Sequence, residues 1–466
     1  MRLTKIRLQN YRCFEDLEVS LSNPLPAPWN NLTVLVAANG HGKTAVLEAI
    51  RYLLGVFVSR LGVPAPKPRK TDIRQIWPED RQSQLFDGVY MPPRKAVTAP
   101  YMRLAVTGKW DKDKVQWDTT LKRDNDSMTS GRIPPALGSK DILPYADSMI
   151  RNNNNGIPQL LPVFAYFGTE RAVIRGLPQR QRGFQKVFKT FDAYAGAMAG
   201  NLDYRKMIEW MVSLDYEQLK RRDKTKSFDY VSIEHKAIQL AVERMLPGFS
   251  NLRVEKEKNE PLDLKVDIQE EKDFRTCRID SQLSDGQKIV LVLVLNLVSR
   301  ILEANSGYPE MTAETLLETE GIVLIDELEL HLHPSWQQRI LPDLLRTFPN
   351  IQFIVTTHSP QVVSSVPKEC IRIIKDGKLV PFDIQTEGAK AGQVLNEIFG
   401  TDSRAPKSKV TQAFNEYYAL IQKNQWDSPR GVELKEFLSE TLSSDPDFMA
   451  LATEIHIRDY QRRHAL

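Results

Sequence analysis

Hydrophobic and polar residues alternate along two segments near the start of the chain, KIRLQNY (5–11) and LEVSLS (17–22), which predicts two half-buried strands. The run from Leu32 to Val36 is short and mostly apolar, as in a strand buried on both faces. After the stretch AANGHGKT, residues 45–61 space their apolar positions as a helix does. The first 60 residues are therefore expected to form strands that lead through a glycine-rich turn into a helix.

The middle of the chain mixes strand-like and helical patterns. Alternating segments at 103–110 and 114–123 flank a polar turn and predict a hairpin, while the apolar run 160–168 predicts a buried strand. The asparagine run 152–155 is expected to be a surface loop. Apolar residues three and four apart then predict a helical lobe. The segments with this spacing are 184–194, 204–214 and 232–246.

Strand-like segments return at 251–257 and 262–271, and a very apolar helix is predicted at 287–303. GIVLIDE (321–327) and IQFIVTTH (351–358) are short continuous apolar runs, which are typical of buried parallel strands. The remaining C-terminal part is again helical in pattern, with four segments separated by polar or proline-containing turns.

Composition excludes several classes of protein. With 41% hydrophobic and 26% charged residues among 466, the chain is neither disordered nor collagen-like. Apolar runs are too short to cross a bilayer, and the N-terminus MRLTKIRLQN lacks the core of a signal peptide. Three widely spaced cysteines fit a reducing compartment, so a cytoplasmic location without membrane contact is expected. The net charge, 63 − 59 = +4, neither favours nor excludes nucleic acid.

The strongest chemical signal is AANGHGKT (37–44), which lies between a predicted strand and a predicted helix. Small residues let backbone N–H groups face phosphate oxygens, the lysine reaches the β- and γ-phosphates, and the hydroxyl holds Mg²⁺. Ala37 replaces the first glycine of the P-loop pattern, which is a mild departure. The predicted nucleotide-binding residues of the loop are Asn39, Gly40, His41, Gly42, Lys43 and Thr44.

GIVLIDE places two carboxylates at the end of a predicted buried strand. Asp326 is suited to hold Mg²⁺ together with Thr44, and Glu327 is suited to polarise the attacking water. Taken alone, the pair could be an ordinary acidic strand end.

Two further motifs follow the same order along the chain. LSDGQ (283–287) places Ser284 and Gly286 at the start of the apolar helix, where an anion can bind, although Ser284 could also be a simple N-cap. IVTTHSP (354–360) ends a predicted strand in His358, which could be a plain loop residue or could sense the γ-phosphate and orient water.

Together and in this order, the four motifs resemble those of ATP-binding-cassette ATPases of the SMC/RecF branch. The resemblance implies that two protomers enclose two ATP molecules, and that Ser284, Gly286 and Gln287 contact nucleotide across the dimer. KIRLQNYRCF is similar to the opening strand of this branch, which implies that Arg12 contacts nucleotide. ELHLHP (329–334) matches the segment that lies along the dimer interface in that branch.

Some assignments stay open. His331 and His333 fit either a metal site or interface packing, and Gln75 is a candidate for the family's glutamine loop. The basic stretches could contact phosphates or form solvated surface. These stretches are 67–70, 180–182 and 220–224.

Within the branch, spacing narrows the choice. Lys43 and Ser284 are 284 − 43 = 241 residues apart, too few for the long arms of chromosome-tethering subunits. The region after His358 shows no Toprim pattern, and no nuclease constellation is evident. YFGTER (166–171), DELELHLHP and the helical tail resemble the PtuA ATPase of Septu anti-phage defence, whose relatives accompany some retrons. That resemblance implies a homo-dimer or larger homo-oligomer that controls a separate HNH endonuclease similar to PtuB.

Two alternatives remain. The protein could be a RecF-like DNA-repair ATPase that binds duplex DNA and loads other factors, or a scaffold that binds ATP and barely hydrolyses it. For all three, the expected fold class is α/β, an ABC-type P-loop ATPase head split in sequence. We expect an N-terminal half of the head, a helical lobe, a C-terminal half and a helical partner-docking region. The corresponding ranges are 1–170, 171–246, 247–385 and 386–466.

Overall fold

The computed structural model describes most of the chain and divides it into two compact units, 1–391 and 392–466. The described residues are 1–76, 97–122, 135–172, 190–200, 204–256, 262–270, 273–305, 308 and 311–464.

The first unit contains both strands and helices. The strands are β1 (Arg2–Tyr11), β2 (Phe14–Ser20), β3 (Leu32–Val36), β4 (Gln75–Ile76), β5 (Val97–Thr98), β6 (Tyr101–Trp110), β7 (Asp113–Lys122), β8 (Val163–Phe167), β9 (Phe249–Glu255), β10 (Asp263–Glu270), β11 (Asp273–Arg278), β12 (Gly321–Ile325), β13 (Ile351–Thr357), β14 (Ile371–Lys375) and β15 (Lys378–Val380). The helices are α1 (Lys43–Arg60), α2 (Leu143–Asn154), α3 (Tyr204–Thr225), α4 (Ile233–Met245), α5 (Asp285–Asn305), α6 (Ala313–Leu317), α7 (Pro334–Gln337), α8 (Ile340–Thr347) and α9 (Pro360–Val363).

The central sheet has six strands in the order β15-β14-β3-β13-β12-β8, and all are parallel except β15. Every residue of β3, β8, β12 and β13 is buried, which explains why these strands are continuous apolar runs in the sequence. Because the strands are parallel, the segments that follow β3, β8, β12 and β13 emerge at one edge of the sheet. All the motif residues of these strands therefore meet at that edge.

A second, antiparallel sheet in the order β2-β1-β6-β7 covers helix α1. Trp117 of β7 is fully buried, and its indole N–H donates to the carbonyl of Leu53 in α1 over 2.9 Å. The two sheets are also joined by Gln352 of β13, whose side chain exchanges two hydrogen bonds of 2.8 Å with the backbone of Leu3. Helix α1 is thereby fixed between the sheets, with its N-terminus at the end of β3.

The other side of the central sheet carries helices. The apolar helix α5 packs on β8 and on α3, α4 and α6, while the three-stranded sheet β11-β10-β9 lies against α3 and α4. Burial along α5 runs almost all round the helix from Ile289 to Asn305, as its composition predicts. The motif LSDGQ (283–287) lies at the start of this helix.

The second unit is helical, with its own small core. Its helices are α10 (Ala391–Glu397), α11 (Lys409–Gln422), α12 (Pro429–Thr441) and α13 (Pro446–His464). Tyr417 and Ile421 of α11, Leu434 and Leu438 of α12, and Leu451 of α13 are buried together. The four predicted C-terminal helices are therefore present.

The structure differs from the sequence-based predictions in the asparagine run 152–155 and in part of the predicted helix 184–194. The prediction that the asparagine run is a loop is wrong, because Asn152 to Asn154 form the last turn of α2. Their side chains are exposed or partly exposed, while the helix buries Ala146 and Met149. The predicted helix 184–194 lies largely outside the described residues, and its last part is a 3₁₀ turn from Thr190 to Tyr194. Among the described residues, no helix is both long enough and apolar enough to span a membrane.

Candidate functional site

The P-loop connects the buried strand β3 to α1, and glycines give it its shape. Gly40 and Gly42 have φ values of 79° and 91°, in the left-handed region that other residues adopt only at a cost. A Cβ on Gly42 would also lie 2.4 Å from the ring of Phe14 and 2.6 Å from the sulfur of Cys13. Ala37 keeps a negative φ, so the methyl group that replaces the expected glycine requires no unusual backbone.

The side chain of Lys43 is buried inside the loop. Its ammonium donates to the carbonyls of Ala37 over 2.7 Å and of Ala38 over 3.3 Å, and to Nε2 of His358 over 2.6 Å. Burial lowers the pKa of Lys43, and burial followed by the charge of Lys43 lowers the pKa of His358. The histidine is therefore held as the neutral imidazole that can accept this hydrogen bond.

Thr44 and Asp326 face each other although they are far apart in sequence. The hydroxyl of Thr44 donates to Oδ1 of Asp326 over 3.1 Å, and the hydroxyl of Thr356 donates to the same oxygen over 2.6 Å. Asp326 is 2% exposed. A hydroxyl beside a buried carboxylate is a set of hard oxygen donors, which fits Mg²⁺. The structure thus brings together the residues that the sequence assigned to the metal.

Glu327 follows directly and has an unusual backbone. Its φ is 47°, which is uncommon for a residue with a side chain, and its carboxylate is partly exposed. Its N–H donates to the hydroxyl of Thr356 over 2.7 Å. The backbone around Glu327 is therefore held in a defined direction rather than left free.

Two residues that the sequence did not assign support these groups. Arg171 of the YFGTER motif is 1% exposed and donates to the carbonyls of Asp326, Glu327 and Gly168. Glu329 accepts hydrogen bonds from the N–H of His358 over 2.5 Å and from the hydroxyl of Thr357 over 2.8 Å. No local signal in the sequence indicated the role of Arg171, which lies four residues after the end of β8, whereas the second glutamate of DELE was the available signal for Glu329.

The hydrogen bonds of the segment LSDGQ (283–287) are separate from those of the P-loop and of Asp326. The N–H of Ser284 donates to Oε1 of Gln287 over 3.1 Å, and the N–H of Gln287 donates to Oγ of Ser284 over 3.4 Å. This reciprocal pair is a capping box. A Cβ on Gly286 would lie 2.9 Å from the carbonyl of His331, so glycine permits the close approach of the segment after Glu327. Among the described residues, no hydrogen bond joins 283–287 to the P-loop of the same chain.

The remaining predicted residues lie near the P-loop. Arg12 pairs with Asp72 over 3.0 Å and with Glu48 of α1, so its guanidinium is engaged by carboxylates. Nδ1 of His41 accepts a 3.3 Å hydrogen bond from the N–H of Asp376 in the β14–β15 turn. Asn39, within the loop itself, is exposed.

The open assignments resolve only in part. His333 caps α7, with Nδ1 2.8 Å from the hydroxyl of Ser335. In the described parts of the chain, no group of three or more His, Cys, Asp or Glu side chains is arranged to hold a metal ion. The backbone of Gln75 pairs with Thr98 in a two-stranded ribbon, and the basic stretch 180–182 lies outside the described residues.

Comparison with known proteins agrees with this site. A family profile described as "AAA domain" matches residues 5–277, and a second AAA-domain profile matches 204–364. The first match covers more than half of the chain, so the protein belongs to this AAA-domain family.

The chain is 27% identical to the "Retron Ec83 probable ATPase" of Escherichia coli, over 99% of its own length and 88% of that protein. It is 24% identical to the "Retron Vc95 probable ATPase" of Vibrio cholerae, with coverages of 94% and 86%. A shorter region, 27% of the chain and 33% of its relative, is 35% identical to "Septu protein PtuA" of Bacillus thuringiensis. The SMC head domain from Thermotoga maritima aligns with a TM-score of 0.41 and 14% identity, over 82% of this chain and all of that one.

The chain thus belongs to a family of AAA domains, and the proteins similar to it include two retron probable ATPases and the Septu protein PtuA. The fold class predicted from the sequence is confirmed: the mixed α/β head carries helical regions, and its central sheet combines strands from both ends of the first unit.

Proposed function

We propose that this protein binds ATP and Mg²⁺ between two copies of itself, hydrolyses the ATP, and thereby controls a separate HNH endonuclease in anti-phage defence. The observation that carries the ATPase part is the convergence of Lys43, Thr44, Asp326 and His358 at one edge of the central sheet. Retron and Septu proteins among the relatives support the defence role.

Each group in the site then has a task. We expect the N–H groups of Gly40 and Gly42 to bind phosphate oxygens, and Lys43 to exchange its hydrogen bond with His358 for one with a phosphate oxygen. Mg²⁺, held by Thr44 and Asp326, would neutralise developing charge on the phosphates. Glu327 accepts a proton from the attacking water, and His358 orients that water or the γ-phosphate.

The placement of Ser284 supports the proposed dimer. Its segment starts α5, and Ser284 is exposed. Ser284 and Gln287 hydrogen-bond to each other, whereas among the described residues no hydrogen bond joins them to the P-loop of the same chain. The first N–H groups of a helix have no acceptor within the helix, so the start of α5 is a suitable anion site for the nucleotide of a second copy. The contact between Gly286 and the segment 329–334 would let that second copy sense changes beside Glu327.

The primary test is nucleotide titration and phosphate release, with wild-type protein and two variants. Lys43→Ala is expected to abolish binding, whereas Glu327→Gln is expected to bind ATP and lose turnover by about 100-fold or more. Absence of ATP binding by the wild type would overturn the proposal. Unchanged turnover in Glu327→Gln would show that a residue other than Glu327 is the general base.

The partner is tested separately. Co-purification with an HNH protein encoded beside this gene, with cleavage that depends on Lys43, supports nuclease control. Turnover that is stimulated by duplex DNA and falls steeply with salt, without such a partner, would favour the RecF-like alternative. Binding without turnover would favour the scaffold role.

A further inference from the structure

The backbone of Glu327 is held at four points. Its two flanking peptide groups each present one C=O and one N–H. The N–H of Glu327 donates to the Thr356 hydroxyl over 2.7 Å, and the N–H of Leu328 donates to the Thr356 carbonyl over 3.0 Å. Both carbonyls, those of Asp326 and Glu327, accept from the guanidinium of Arg171.

These four hydrogen bonds fix the backbone dihedral angles of Glu327. The orientations of the two peptide planes determine φ and ψ of Glu327, and φ is 47°. A residue with a Cβ adopts that conformation at a cost in free energy and keeps it only where its surroundings over-determine it. Because the fork of Arg171 takes both carbonyls, it sets the direction in which the Glu327 side chain leaves the backbone.

The burial of the charged Arg171 side chain is energetically unfavourable. Its side chain is 1% exposed, and burial lowers its pKa to about 10. Within the described residues its Nε is buried without a hydrogen-bond partner. A buried arginine that only stabilised the fold would be expected to pair all its donors or to meet a carboxylate directly. Here one hydrogen bond goes to the carbonyl of Gly168, and the other two go to the two peptides that flank one glutamate.

We propose that Arg171 is a positioning residue for ATP hydrolysis: it holds Glu327 in its left-handed conformation, so that the carboxylate points at the attacking water. The inference rests on the proposed ATPase function. Arg171 does not reach nucleotide, because it is buried and its donors face the backbone of Asp326 and Glu327.

Arg171→Lys is the direct test, because lysine keeps the charge and loses the planar fork. We expect nucleotide affinity within about threefold of wild type and a kcat lower by about 10- to 100-fold, since a displaced base costs rate rather than binding. The matched control is Arg300→Lys. Arg300 also donates to two backbone carbonyls, those of Ala193 and Ala195, and burial also lowers its pKa to about 10.

A double mutant separates positioning from general loss of structure. If Arg171 acts through Glu327, adding Arg171→Lys to Glu327→Gln changes the residual kcat by less than about twofold. The inference would be overturned if Arg171→Lys lowered kcat by the same factor in the wild type and in Glu327→Gln. It would also be overturned if Arg171→Lys lowered kcat by no more than Arg300→Lys does. A wild type without turnover would instead defeat the proposed function, so the two failures are distinguishable.

Thr356 provides a second test in case Arg171→Lys does not fold. Thr356→Val keeps the side-chain shape but removes the hydroxyl that accepts from Glu327 and donates to Asp326, and Thr356→Ser keeps that hydroxyl. We expect Thr356→Val to lower kcat by about 10-fold and Thr356→Ser to restore it. A Thr356→Val variant with wild-type kcat would show that the orientation of this peptide does not control turnover, and would also overturn the inference.

Discussion

The ammonium of Lys43 and Nε2 of His358 are 2.6 Å apart, so the P-loop lysine and the histidine that ends β13 hold each other directly. Both groups have a lowered pKa, and burial is the largest cause for each. Any phosphate that binds Lys43 must compete with His358. The histidine is therefore released for new contacts at the moment when the phosphate arrives, which suits a group that reports on the γ-phosphate.

The first prediction concerns the pKa of His358. Lys43→Met removes the neighbouring charge that lowers this pKa, while Glu329, Glu327 and Asp326 continue to raise it, so the pKa of His358 should rise. Histidine-selective NMR titration measures the change, and His235 of the helical lobe serves as the internal control. An unchanged or lower pKa for His358 would show that the contact with Lys43 is not what sets its titration.

The pH dependence of stability follows with a definite sign. A pKa that is lower in the folded state than its ordinary value of 6.5 means that the unfolded chain binds more protons below that pH. The stabilisation is thus complete above about pH 6.5 and declines as the pH falls through the folded pKa.

His358→Gln should remove that decline. Because His358 is partly exposed, the difference between wild type and variant on going from pH 7.5 to 5.5 should be below about 1 kcal/mol. Urea unfolding at the two pH values measures it. A wild type that loses no more stability than His358→Gln would contradict the assignment.

Glu329 anchors the same histidine from the other side. Glu329→Ala leaves the N–H of His358 and the hydroxyl of Thr357 without their acceptor. We expect kcat to fall by about tenfold while ATP affinity changes little, because the P-loop is untouched. Steady-state kinetics with nucleotide titration measures both quantities, and Glu329→Gln should be intermediate because its amide oxygen can still accept one bond. Equal loss of affinity and of kcat would mean that Glu329 acts on the whole site.

The motifs were predictable from the sequence because their chemistry demands particular residues at short spacing. The loop between β3 and α1 must contain glycines where φ is positive, and Asp326 must end a buried strand. The role of Arg171 was not predictable, because it depends on β8 lying beside β12, and Arg171 bonds to a residue 155 positions away. The asparagine run misled for another reason: its polarity matches a loop, yet the apolar positions 146 and 149 make it the end of an amphipathic helix.

Gly42 should be the most sensitive position of the P-loop. Gly42→Ala combines a φ of 91° with clashes against Phe14, which is itself fully buried, and should destabilise the fold by about 2–4 kcal/mol. Gly62→Ala is the matched control, because Gly62 has a φ of 83° and open space around its Cβ position. Its cost should be about 1–2 kcal/mol. Thermal unfolding compares the two, and similar losses would show that the contact with Phe14 is unimportant.

Whether Ser284 acts on the nucleotide of a second copy can be decided by mixing two inactive variants. Lys43→Ala destroys the P-loop of its own chain, and Ser284→Arg blocks the start of α5 with a large side chain. If each site takes its P-loop from one copy and Ser284 from the other, a heterodimer contains one site in which both are intact. Random exchange makes half of the dimers heterodimers with one of two sites working, so about one quarter of wild-type turnover should return.

The mixed sample must be compared with each variant alone and with a mixture that cannot complement. Lys43→Ala mixed with the double variant Lys43→Ala/Ser284→Arg serves this purpose, since no dimer in it contains an intact Lys43. Recovery only in the first mixture supports a shared site, because neither variant can act within its own chain. If the first mixture stays inactive although an affinity-tagged copy of one variant co-purifies the untagged other variant, Ser284 is not acting across a dimer, and its hydrogen bonds with Gln287 then serve only to cap α5.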